Sequence, residues 1–118
     1  MITVTQEELL VRDVVAAFPA LRPMLDEHIH DYDEVLAHIF LADVVRYLVH
    51  ASENRHPTDG VVAAILEFLE NRFRHGNEEV KELISVSFVE MLPRPDERGA
   101  ELRAQLGTEL AAEAARVT

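Results

Sequence analysis

The sequence predicts an all-α protein, a single-domain bundle of about six to seven helices across residues 1–118. Three observations carry that expectation. Strand signals are nearly absent, and only Ile2–Thr5 could extend. Apolar residues recur at helical rather than alternating spacing along most of the chain. One stretch, Glu34–Ala51 (EVLAHIFLADVVRYLVHA), is apolar around almost its whole circumference. Leu36, Phe40, Leu41, Val44, Tyr47 and Leu48 cover one broad side, and Val35, Ile39, Ala42, Val45 and Val49 extend it. Such a helix belongs in an interior, so 34–51 is the expected central helix. A narrow polar stripe, Asp43, Arg46 and His50, interrupts it at i, i+3, i+7.

The other elements follow from their start and stop signals. Thr5, with Glu8 three residues on, forms a capping box for a first helix over Gln6–Ala17, which packs through Leu10, Val14, Ala17 and Phe18 and stops at Pro19. A short second helix, Ala20–His30, accepts Pro23 only because it lies in the first turn. His30–Asp33 then turns the chain, and Asp31 or Asp33 is expected to cap the central helix, with Glu34 at its positive end.

After the loop SENRHPTDG, Thr58 or Asp59 caps a helix over Val61–His75. Its Val62, Ile65, Leu66, Leu69 and Phe73 face inward, and Glu67, Glu70, Asn71 and Arg74 face water. Gly76 is the expected left-handed residue after it. Asn77 caps a fifth helix, Glu78–Leu92, nearly as apolar as the central one, and the two are expected to form the core together. Pro93–Asp96 is a rigid break. A helix over Glu97–Leu106 ends at Gly107, and Thr108 caps a last, Ala-rich helix expected to be the least stable part.

Composition narrows the function classes. The hydrophobic content of 48% supports a folded core, and with no cysteine there is neither a disulfide framework nor thiolate chemistry. Neither a signal peptide nor a long apolar span is visible, which points to a cytoplasmic protein. The 11 basic and 22 acidic residues leave a formal charge of −11. Nucleic acid and anionic membrane are therefore disfavoured partners. Only Lys81 among the basic residues is lysine, a bias that fits a GC-rich bacterial genome.

The charge is uneven, because residues 24–43 hold Asp26, Glu27, Asp31, Asp33, Glu34 and Asp43 and no Lys or Arg. With Tyr32 as an aromatic anchor, that segment reads as a surface for a basic protein partner. The stripe Asp43, Arg46 and His50 has three readings: an ion pair that lets a mostly buried helix reach solvent, an exposed binding stripe, or, with Tyr47, an acid–base site. Arg94, Arg98 and Arg103 read as ordinary helix surface, and Ser85 and Ser87 as hydroxyls compatible with a core.

A metal reading draws on Glu27–His30, Glu53–His56 and Glu34–His38, with Glu67 or Glu70 completing a carboxylate-bridged site. The pairs fall at helix ends and the remaining carboxylates on a solvent face, so neither metal nor cofactor is expected. There is no phosphate loop, nucleophile elbow or HExxH, and no enzyme is expected. A small histidine and carboxylate metalloprotein or enzyme is the alternative. A homo-oligomer joined through Leu and Val exposed on the first or fifth helix is a third reading.

The pattern FPALRPMLDEHIHDYDEVLAHIFLADVVRYLV, then ILEFLE, EEVKELISVSFVEMLP and LGTEL, resembles a family of small acidic helical bacterial proteins, some of them similar to immunity proteins of polymorphic toxin systems. The resemblance covers about residues 9–112 and is most specific at Glu82–Pro93. It implies an all-helical fold and direct binding of a basic toxin domain, and it brings no active-site residues with it.

Overall fold

The computed structural model describes residues 4–54 and 60–117, the side chain of Asn54 excepted. The helix α1 spans Gln6–Ala17, and its Thr5 cap works as expected: the side chain accepts from the Glu8 amide at 3.0 Å. Its buried stripe is Leu10, Val11, Val14 and Val15. Ala17 is exposed instead, because the helix ends there and the chain turns through a single 3-10 turn at Pro19–Leu21. Phe18 meets Phe68 edge-on, with ring centroids 5.7 Å apart.

The second helix, α2, has the expected length but lies two residues further along the chain, Arg22–Tyr32. It closes on Asp33, which takes the left-handed conformation (φ 60°) and donates its amide to the Ile29 carbonyl at 2.7 Å. Asp33 thus ends one helix rather than beginning the next, and the central helix α3 is Ala37–Asn54, not 34–51. Along α3 a single stripe is buried: Ala37, Phe40, Leu41, Val44, Val45 and Leu48. Ile39 is exposed, so the helix is amphipathic rather than apolar all round.

The helix α4, Gly60–His75, buries Val62, Ile65, Leu66 and Leu69 as expected, and Phe73 is half-buried. The anticipated cap at Thr58 or Asp59 lies outside the described residues. Gly76 is not left-handed. It is needed for close approach, since a Cβ there would lie 2.6 Å from the Arg72 carbonyl oxygen and 2.7 Å from the Val80 side chain.

The fifth expected helix begins on its Asn77 cap but changes character. It is α-helical over Glu78–Ile84 (α5) and then widens into a π-helical turn at Ser85–Val89, where the Glu90 amide reaches back to the Ser85 carbonyl. The core lies where this turn meets α3, with Phe40 and Phe88 fully buried. Past the proline break, Gly99 (φ 84°) starts a 3-10 segment, Ala100–Gln105, in place of the α-helix expected over 97–106. Leu102 nails that segment to the core.

The last helix, α6, is Thr108–Val117. Thr108 does not cap it. Glu70 of α4, expected on a solvent face, is only 8% exposed, and its carboxylate accepts the amides of Glu109 (2.8 Å) and Leu110 (2.9 Å). Gly107 makes the room, because a Cβ there would sit 2.6 Å from the Glu70 carboxyl carbon. At its other end Glu113 accepts the Ser85 hydroxyl at 2.5 Å and pairs with Arg116. These two contacts, Arg116 first, draw the Glu113 carboxyl down to about 2. The fold is all-helical, and no strand occurs among the described residues.

Candidate functional site

The expected partner-binding residues are divided between two elements. Asp26, Glu27, Asp31, Tyr32, Asp33 and Glu34 gather on the C-terminal half of α2 and the turn after it, and all six are exposed. Arg46 and His50 lie down α3, about 14 and about 20 Å along the helix from its first residue at 1.5 Å per residue. Asp43 bonds Arg46 across one helical turn, which is the ion-pair reading of that stripe.

At the turn, most of the charges stand without an ion-pair partner among the described residues. Asp26 pairs with Arg22 at 3.4 Å, an exposed i, i+4 contact. Among the described residues, Glu27, Asp31, Asp33 and Glu34 form no ion pair. Between them stands Tyr32, 45% exposed. Its ring is braced from behind by the imidazole of His28, centroid to centroid 4.9 Å, and His28 in turn meets Phe40 of α3 edge-on at 5.7 Å. An aromatic held on a rigid support loses little freedom when a partner covers it.

His28, which sequence reasoning missed as a functional residue, holds this turn together. It is 3% exposed and its Nε2 accepts the amide of Leu36 at 2.9 Å. Leu36 is the residue before α3, and its carbonyl accepts from Phe40 in the first turn of that helix. The imidazole therefore fastens the start of α3 to α2. With Nε2 accepting, the ring proton sits on Nδ1, which is buried without a hydrogen-bond partner. Burial lowers the pKa of His28, and the charge of Asp31 opposes that in part. The signal available in the sequence was a histidine at i−4 from Tyr32 on the inner edge of a short amphipathic helix, a pattern shared by many buried residues.

Arg46 and His50 instead line a groove of about 740 Å³ between α3 and the segment 91–98. Val45, Val49, Leu92 and the exposed Met91 supply its apolar floor and rim. Arg98 grips Glu53 with two hydrogen bonds, 2.7 and 3.1 Å, and ties the far wall to α3. Arg103 donates to the Pro93 carbonyl at 2.6 Å. Arg98 and Arg103 are thus cross-braces rather than ordinary helix surface.

A third constellation joins distant parts of the chain. Glu7 of α1 lies 3.1 Å from Nε2 of His38 on α3, and Nδ1 of His38 meets the Ser87 hydroxyl. Carboxylate, imidazole and hydroxyl in that order are the parts of a nucleophilic triad. The hydroxyl belongs to a residue only 4% exposed in the π turn. What the chain of contacts does is tie α1, α3 and the π turn together.

The metal reading gains no geometry. Glu34 and His38 are separated by the start of α3, and His38 is already engaged by Glu7 and Ser87. His56 lies outside the described residues. Among those that are described, no group of three or more His, Asp or Glu side chains could hold an ion. No helix among them is long and apolar enough to cross a membrane. On the oligomer reading, Leu9 of α1 and Val86 of the π turn are exposed, as is Val4 just ahead of α1.

A family model described as a domain of unknown function (DUF7674) matches residues 11–117. No curated protein and no solved structure matches the chain.

Proposed function

Because the chain belongs to the DUF7674 family, a domain of unknown function, we propose from its surface that it is a non-enzymatic binding module that docks a basic protein through the α2–α3 turn. One observation carries the reading. Asp31 and Asp33 stand at the C-terminal end of α2, where the helix dipole is already negative, and among the described residues neither forms an ion pair, His30 being the basic residue of that last turn. Each such charge costs about 0.3–1 kcal/mol at an exposed helix end. Folding alone favours Lys or Arg there. A Lys- or Arg-rich partner would reverse the sign of that cost, steered by the field of Glu27, Asp31, Asp33 and Glu34 and seated on Tyr32.

In its narrower form the reading is of a cytoplasmic immunity protein that neutralises a basic toxin domain by covering it. The overall charge of −11 supports this, as does the resemblance of the sequence to a family of small acidic helical bacterial proteins, some of them similar to immunity proteins. Asp43, Arg46 and His50 extend the acidic turn down α3 and are left out of the minimal contact proposed.

The test is a titration of the protein with a labelled Lys- and Arg-rich peptide carrying one central leucine, at low salt, with amide shifts recorded. Shifts concentrated at residues 26–36 are expected, and the triple variant Asp31→Asn, Asp33→Asn, Glu34→Gln should associate about tenfold more slowly. Asparagine is the choice at 33 because it tolerates the left-handed backbone. An unchanged rate in the variant, or shifts spread evenly over every acidic face, would sink the proposal. The toxin form is tested by co-expression with the toxin domain of a neighbouring reading frame, which the protein should render harmless.

A further inference from the structure

We infer that His28 is a proton-operated latch on the docking turn, holding Tyr32 and the acidic residues in binding order while its ring is neutral and releasing them when it takes a second proton. The inference rests on the docking reading above and concerns how that surface is controlled.

The geometry leaves the ring only one way to be comfortable. Nε2 accepts the Leu36 amide at 2.9 Å, which requires that nitrogen to carry no proton. Nδ1 carries the proton and finds no acceptor. A second proton must therefore land on Nε2, where it faces the Leu36 N–H and abolishes the bond. The resulting cation would sit in a residue 3% exposed, against two aromatic rings. It would have no carboxylate bonded to it.

Relief comes by the ring moving outward, and Tyr32, which leans on it, must move as well. Around the ring, Asp31 on the same helix is the charged group whose field reaches it. From α3 it meets the Phe40 ring, and the first titratable side chain of that helix, His38, is held by Glu7 and Ser87. Among the described residues no charged side chain of α1 or α3 bonds it. The new positive charge beside Asp31 and the loosened turn both weaken attraction for a cation, so the two consequences have the same sign.

The direction in pH follows. Burial holds the folded-state pKa below the ordinary 6.5. The contribution of the neutral ring is complete above pH 6.5 and is lost as the pH falls through the lowered value. Docking is thus strongest at neutral pH and weakens as the pH falls through that lowered value.

Two measurements on the intact protein test this. The first needs neither variant nor partner: amide exchange protection at about pH 7.5 and about pH 5.5. Protection of the Leu36 amide should fall about tenfold on acidification, and that of the Val80 amide, held by the non-titrating Asn77 side chain, should not. Equal loss at both amides, or loss at neither, overturns the latch. The second compares peptide affinity at the same two pH values in the wild type and in His28→Gln, whose amide oxygen can accept the Leu36 N–H at any pH. The wild type should lose about tenfold on acidification, and the variant less than about twofold. Parallel losses overturn the latch and leave the docking reading standing. Absence of peptide binding by both at neutral pH overturns the docking reading, and the exchange result then decides the latch.

Discussion

At the scale of single residues, Asp33 shows how a local preference was set aside. A left-handed residue after a helix is usually glycine, because a Cβ there is strained, and an acid at that end also opposes the dipole. Asp33 accepts both penalties. Asp33→Gly should therefore raise stability by about 1 kcal/mol while weakening affinity for the cationic peptide. Urea denaturation midpoints and the peptide titration give the two readings together. A midpoint that stays put or falls would show that the carboxylate has a structural duty here. The sequence could not reveal this role: His30–Asp33 carries equally good signals for ending α2 and for beginning α3. What decided between them was His28, eight positions before Leu36, fastening the α3 start from a helix away.

At the scale of elements, α6 depends on a side chain from elsewhere. Its first turn is completed by Glu70 of α4, with Gly107 left bare to admit it. Glu70→Ala removes two charge-assisted bonds to buried or half-buried amides and should cost about 2–3 kcal/mol. Glu70→Gln, which keeps an acceptor, should cost about half that. If the two substitutions prove equally mild by denaturant titration, solvent caps α6 and the Glu70 contact is incidental. A cap drawn from 39 residues away leaves no trace in local pattern, which explains why Glu70 read as a solvent-facing residue at a polar wheel position. The helices themselves were legible wherever the cap and the apolar stripe were local, as in α1 with Thr5 and α5 with Asn77. The π turn was not, since Ser85–Val89 has the same apolar periodicity as a continuing α-helix. Its widening shows in the Glu90 amide bonding back to the Ser85 carbonyl, and its two serines are held by Glu113 and His38.

At the scale of the whole molecule, the radius of gyration of 13.8 Å is close to the ~13.5 Å of a packed chain of this length, so the charge of −11 is carried on a small surface. Self-repulsion of that magnitude is screened by salt. Raising sodium chloride from low to physiological concentration at neutral pH should raise the thermal midpoint by about 2–5 °C. A midpoint that drops instead would mean that surface pairs such as Arg72–Asp13 and Arg98–Glu53 outweigh the repulsion. Bulk acidity was plain in the sequence, and so was the acid-rich segment 24–43. That Arg46 and His50 would line a groove toward the far end of α3 from the acidic turn required the length of α3 to be known.

The widened turn at Ser85–Val89 has a consequence for chain length. An i→i+5 turn spends one more residue than an α turn over the same rise, so the helix there carries a surplus position. Val86, exposed on that turn, is the natural one to lose. Deleting it would straighten the segment into ordinary helix and leave Phe88 and the residues beyond it in register with the core. The same one-codon loss inside α3 would rotate half of its buried stripe into water. Length variation among kindred chains should accordingly gather at this point and spare the central helix.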